Sequence, residues 1–167
     1  MELLDIYNEN AEKTGRVIER GTPLRSGEYS LAVHLYIYNA DGQFLLQKRS
    51  AQKKSLPGIW SVTCGAVMSG ETSVQAGVRE AAEELGLILL PERLRHIGRV
   101  KRRHSFIDIF FIRAEWEMSK LVLQKEEVDA VRLCRAGELL NIISETKNIG
   151  GTYLAAVSRA IRENGLS

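Results

Sequence analysis

The sequence predicts a single α/β domain in which a mixed β-sheet carries helices packed on its faces. Three observations lead there. A chain of 167 residues has room for one hydrophobic core and is short for two domains. Segments rich in β-branched and aromatic residues alternate with helical patterns along its length, the order expected when helices cover a sheet. Between Thr72 and Leu85, Val74, Val78, Ala81, Ala82 and Leu85 recur at spacings of three and four, the stripe of an amphipathic helix.

Leu3–Tyr7 and Arg16–Arg20 flank the turn-rich Asn8–Gly15 and predict a β-hairpin over about residues 1–20, an edge available for pairing with a second copy as a homodimer. Strands are expected at Tyr29–Tyr38 and Gln43–Lys48, joined through Asp41-Gly42, a strong hairpin signal. Ile59–Cys64 follows as a strand after the Pro57-Gly58 loop. The helix from Thr72 has a capping box in Thr72 and Gln75 and a natural stop in Gly86. Beyond Pro91, strands are expected at His96–Lys101, Ser105–Trp116 and Val128–Cys134, and helices at Ala136–Ile143 and Thr152–Asn164.

Composition narrows the function classes. With 44% hydrophobic and 26% charged residues the chain is an ordinary globular protein, which excludes disordered and collagenous classes. A net charge of +2 gives no electrostatic reason to expect a nucleic acid polymer as partner. Cys64 and Cys134 form neither a disulfide framework nor, with His34, His96 and His104, a zinc pattern, so a reducing cytoplasm is the expected compartment. No apolar run approaches the roughly 18 residues of a membrane span, and the start Met1-Glu2-Leu3-Leu4-Asp5 is acidic rather than signal-like, so neither membrane insertion nor export is expected.

Chemistry concentrates on the Thr72–Leu85 helix. With Glu80 at 0°, Glu84 falls at about 40° and Glu83 at about 300°, while the apolar stripe centres near about 145°. The three carboxylates are therefore expected on the face opposite the core. Glu80 and Glu84 form a like-charge i,i+4 pair, which destabilises an isolated helix. Arg79 can offset Glu83 at i+4, yet no side chain three or four positions away balances Glu80 and Glu84. A hard divalent cation such as Mg²⁺ supplies the missing charge. Small Ser73, Ala76 and Gly77 earlier on the same face suggest space for the Gly65–Glu71 loop or for bound phosphates.

The whole segment Gly65–Leu87 orders Gly65, Glu71, Arg79-Glu80-Ala81, Glu83-Glu84 and Gly86-Leu87 at fixed spacing, a coincidence on the order of 10⁻⁷ by chance. It resembles the Nudix box. Ala81, small where that family usually carries a larger aliphatic residue, departs in packing rather than in chemistry. The resemblance covers residues 65–87 directly and implies that residues 1–167 are one Nudix domain, an α/β/α sandwich. It implies that Glu80, Glu83 and Glu84 bind Mg²⁺ or Mn²⁺, that Glu80, Glu83 and Arg79 serve catalysis, with Glu80 or Glu83 taking the proton, and that Arg79 pairs with Glu71. Gly86 closes the box as a structural residue. The implied reaction is metal-dependent hydrolysis of a diphosphate linkage in a nucleoside diphosphate derivative, a small-molecule substrate. Outside the box, Glu127 with Glu126 is a further metal or base candidate, against a solvated turn.

Leu45–Ser50, Pro57–Trp60 and Cys64-Gly65 are similar to the matching stretch of isopentenyl-diphosphate isomerase, a Nudix-fold relative in which a cysteine before the box glycine does the proton chemistry. That enzyme needs a histidine-rich metal site, and Ala66 and Ser30 occupy two of its positions here. Hydrolysis is therefore favoured, with the isomerase and a non-catalytic nucleotide-binding Nudix domain as alternatives. Arg49 and Gly65 are the candidate substrate-binding residues. Lys53 and Lys54 and the run Arg99, Lys101, Arg102, Arg103 and His104 could meet phosphates but are better explained as solvated surface charge, and Asp108 on its strand is ambiguous. Tyr36, Phe44, Phe106, Phe110, Phe111 and Trp116 are expected in the core or on a sheet face.

Overall fold

A computed structural model describes residues 1–146 and 149–166. β1 (Leu3–Tyr7) and β2 (Lys13–Glu19) form the expected antiparallel hairpin. It is a small sheet of its own, closed by Leu4, Ile6 and Ile18 and tied to the rest through a bridge between Tyr7 and Tyr29.

The main sheet is built around β3 (Ser30–Tyr38), which runs parallel to β8 (Ser105–Arg113), itself antiparallel to β7 (Arg95–Lys101). On its other side β3 turns through Gly42 into β4 (Phe44–Arg49), but the two pair only at Tyr38 and Phe44. They then part. β6 (Thr63–Ala66) takes the vacated edge of β3, while β4 pairs with β5 (Trp60–Ser61) and β9 (Val128–Cys134). The expected strand Ile59–Cys64 is thus two strands broken at Val62, because the chain changes partner from β4 to β3 within it. The strand expected to Trp116 stops at Arg113, and Trp116 packs against the core.

Alternation along β3 builds two cores. Leu31, Val33, Leu35 and Ile37 face α1 (Ser73–Leu85), and Ala32, His34, Tyr36 and Tyr38 face the opposite layer with α2 (Ala136–Glu145) and α3 (Gly151–Glu163). This is an α/β/α sandwich with a mixed sheet. Tyr36, Phe44, Phe106, Phe110 and Phe111, expected in the core or on a sheet face, are each at most 4% exposed. No helix among the described residues is long and apolar enough to cross a membrane.

α1 starts at the reciprocal Thr72–Gln75 capping box and ends where Gly86, at φ 66°, donates to Ala82 and Leu87 donates to Ala81. Its buried side differs from the expected one. Ala76, Gly77, Glu80, Ala81, Glu84 and Leu85 are buried, a stripe centred at about 50° on the helical wheel rather than about 145°. Val74 and Val78 are only partly buried. The small side chains explain the rotation, since they let the helix settle close to the strands. A Cβ added at Gly77 would meet Val33 and Leu94 at 3.4 Å. The space beside Gly77 is therefore filled by the sheet, not by a loop or phosphates, and Glu80 and Glu84 lie on the core side of the helix rather than opposite it.

Candidate active site

Arg79 organises the segment before and within α1. Its Nε donates to Glu71 Oε1 at 2.8 Å, and Nη2 to Glu71 Oε2 at 3.1 Å and to the Ala66 carbonyl at 3.0 Å. Nη1 donates to Glu80 Oε1 at 2.8 Å and to Glu83 Oε2 at 3.1 Å. A guanidinium has five N–H bonds, and all five are taken. Arg79, expected among the catalytic residues, therefore has every donor engaged within the loop and the helix. Glu71 also accepts from the Met68 backbone at 3.0 Å, so the loop, the helix and two box glutamates meet at one cation. The Arg79 guanidinium and the Met68 N–H overcome burial and hold Glu71 below the usual carboxylate range.

Glu80 and Glu84 are buried beside β6, where β3 and β4 have parted. Glu84 is 4% exposed and its Oε2 accepts from Gln47 Nε2 at 2.6 Å. Gln47 in turn accepts from the Thr63 hydroxyl at 3.1 Å, which ties β4, β6 and α1 together at this point. Burial pushes Glu84 up to about 7, with the negative charges of Glu80 and Glu127 adding and Gln47 opposing. Burial also raises Glu80, against the pull of Arg79. Glu80 lies hard against Gly65, where an added Cβ would stand 2.0 Å from its Oε1. Glu83 shares Arg79 with Glu80 but its side chain is 53% exposed.

Gln47 and Thr63 had no signal in the sequence: a glutamine near a strand end reads as a solvent residue, and only the divergence of two strands turns it inward. Glu127 accepts from Lys53 Nζ at 2.6 Å, near enough for its charge to bear on Glu84, whereas Glu126 is exposed. Arg49 Nε donates to the Ser55 carbonyl at 2.7 Å, and its side chain lines a cleft that also reaches Gly65. Cys64 is half-buried beside these groups, its thiol pushed up to about 12 by burial and then by Glu84. In the basic run, Arg99 is bound in a two-pronged pair to buried Asp108 at 2.6 and 2.8 Å, so these two residues hold the fold.

Among the described residues no three His, Cys, Asp or Glu side chains converge as a ready ligand set. Two carboxylates are gathered, however, and both are buried without a cation on Glu84. All the donors are hard oxygens. This fits Mg²⁺, which is commonly held by one or two carboxylates and completes its shell with water and substrate phosphate. Glu80 and Glu84 would hold such an ion, with Glu83 at the rim.

Known proteins resemble this chain along most of its length. The NUDIX domain family matches residues 28–155. An uncharacterized Nudix hydrolase of Listeria monocytogenes is 40% identical over 140 residues, covering 83% of each chain. An isopentenyl-diphosphate Delta-isomerase of Streptomyces avermitilis is 29% identical over 145 residues, covering 82% of this chain and 73% of its own. The crystal structure of DR0079 from Deinococcus radiodurans superposes with a TM-score of 0.73 at 27% identity, over 95% of this chain and 98% of that one. That of the E. coli dihydroneopterin triphosphate pyrophosphohydrolase shares the fold at a TM-score of 0.57 and 20% identity, over 81% and 98%.

Proposed function

Since the chain belongs to the NUDIX domain family, we propose that it is a pyrophosphohydrolase that uses Mg²⁺ or Mn²⁺ to cleave a diphosphate linkage in a nucleoside diphosphate derivative. One observation carries the reading: two buried carboxylates, Glu80 and Glu84, side by side with a single shared arginine between Glu80 and the rest of the box. Burying two like charges is unfavourable unless a cation balances them. When bound, the ion would neutralise diphosphate charge and lower the pKa of a water molecule. Gln47 fixes the Glu84 carboxylate, and Arg79 and the missing side chain of Gly65 fix that of Glu80. Glu83, held beside Glu80 by Arg79 yet open to solvent, is positioned to take the proton of the attacking water at a carboxylate oxygen. Arg49, at the junction of the cleft and the box loop, is positioned to hold the diphosphate, and Glu127 tunes Glu84 through its charge. The two free thiols suit a reducing compartment, which we take to be the cytoplasm.

The places of the isomerase metal ligands argue against isomerase chemistry, since neither Ala66 nor Ser30 can supply a ligating imidazole.

Phosphorus NMR of a panel of nucleoside diphosphate derivatives with Mg²⁺ tests the reading. Splitting of a diphosphate signal into two monophosphate signals is expected for at least one member. No cleavage of any member would favour a binding-only domain, and double-bond migration in isopentenyl diphosphate would favour the isomerase. Gly65→Ala should lower kcat by about 10- to 100-fold, the scale of disturbing a metal ligand's support, with thermal stability largely kept. An unchanged kcat would show that the Glu80 carboxylate need not lie against Gly65.

A further inference from the structure

The cleft that begins at Gly65 continues through to the far face of the sheet, between β3 and the α2–α3 layer, and encloses about 540 Å³. Its charged lining residues among those described are all arginines, Arg20, Arg49 and Arg102, with no carboxylate. Its inner walls are apolar, from Leu139, Ile142 and Ile143 on α2 and Trp60 on β5. At its floor three polar side chains form a chain: Tyr36 Oη and Tyr153 Oη are 2.7 Å apart, and Tyr153 Oη is 2.7 Å from His34 Nδ1.

The direction of that chain follows from burial. Tyr36 is 1% exposed, and Tyr153 is the partner of its hydroxyl, so the Tyr36 proton has to be donated to Tyr153. Tyr153 then donates its own proton to His34 Nδ1. An imidazole that accepts at Nδ1 carries its proton on Nε2. Among the described residues no hydrogen bond reaches Nε2 and no buried side-chain nitrogen or oxygen is left unsatisfied, so Nε2–H faces open space, and the spaces that His34 lines are this cleft and the adjoining hollow of Arg103 and His104. Burial lowers His34 to about 4, with Arg102 adding, which keeps the ring neutral at physiological pH.

We propose that this cleft seats the group attached to the diphosphate, and that His34 Nε2–H selects for a hydrogen-bond acceptor on it, so that the occupant is a nucleobase rather than a hydrocarbon chain. The inference rests on the hydrolase reading for where the diphosphate lies, with phosphates toward Arg49 and Gly65. Apolar walls fit a flat ring as well as a prenyl group, but the floor does not. A hydrocarbon would strip water from Nε2–H and return no acceptor, and sites built around such a donor reject analogues that lack the partner. His34 is thus a specificity-determining residue, and Tyr153 and Tyr36 are positioning residues that set its tautomer.

Two measurements independent of turnover test this. Long-range proton–nitrogen NMR on labelled protein at pH 7 is expected to show His34 neutral with its proton on Nε2, and Tyr153→Phe is expected to shift the tautomer toward Nδ1–H. A charged ring, or Nδ1–H in the unaltered protein, overturns the proposal. Calorimetry with the four nucleoside 5′-monophosphates and with isopentenyl monophosphate is expected to show binding of at least one nucleotide and none, or at least tenfold weaker binding, of the isopentenyl compound. His34→Phe is expected to weaken the nucleotide by about 10- to 100-fold and His34→Gln, which keeps a donor, by less. Thermal melts confirm that both variants fold. Equal affinity for nucleotide and isopentenyl compound, or no change in His34→Phe, contradicts it. If the nucleotide binds as expected but no diphosphate is cleaved, the hydrolase reading fails while the cleft assignment stands.

Discussion

Glu84→Gln should lower kcat by about 10²- to 10³-fold, the scale of removing one group that stabilises transition-state charge, while making the metal-free protein more stable at neutral pH. The two effects share one cause. Glu84 is buried and shifted from 4.5 up to about 7. Below pH 4.5 the carboxyl is protonated in folded and unfolded chains alike and carries no penalty. As pH rises through the window up to about 7, the folded state holds more protons than the unfolded one, so stability falls. Above it the loss reaches roughly 3 kcal/mol. Glutamine keeps a hydrogen-bonding amide at the site of the charge and should flatten this slope, seen as a Tm that no longer drops between about pH 5 and about pH 8, the titration range of such a buried carboxyl. A variant that melts lower than the parent across that range would show that Glu84 is stabilising as a free carboxylate and that no cation is called for.

Arg79→Ala should be the most destabilising single change in the box, by roughly 2–4 kcal/mol in denaturant unfolding. The side chain is 22% exposed, so solvent screens part of the interaction, but alanine leaves buried Glu80 without its cation and frees Glu71 from the loop. Lysine is a poor substitute because one ammonium cannot reproduce a planar fork that serves three carboxylates and a carbonyl. Arg79→Lys should therefore fold better than Arg79→Ala yet recover little activity. Full activity in Arg79→Lys would mean that charge alone, and not the five-bond geometry, organises the box.

The pairing of Arg79 with the box carboxylates was legible in the sequence because it is local. Glu71 to Gly86 sit within one loop and one helix; helical spacing places Arg79 within reach of Glu83, and the resemblance to the Nudix box implied its pairing with Glu71. The face of that helix was not legible. Hydrophobicity put the core under Val74 and Val78, whereas close approach of Ala76 and Gly77 to β3 decided the outcome and carried Glu80 and Glu84 inward. The broken strand at Val62 escaped for a related reason, since a run of strand-forming residues does not say when the chain changes neighbours. Contacts between residues far apart along the chain left no trace either. Gln47 and Glu84 are 37 residues apart and His34 and Tyr153 are 119 apart, and each looks ordinary in its own segment. Patterning thus shows what a segment can become, and packing shows which of its groups are forced together.

Titration of Mn²⁺ into the protein, followed by the electron paramagnetic resonance of the free ion, addresses the buried glutamates most directly. The unaltered chain should remove free Mn²⁺ with a defined stoichiometry, Mg²⁺ should compete it off, and Glu84→Gln should lose the uptake while remaining folded. A free-ion signal in the unaltered chain that matches that of buffer alone would contradict the account.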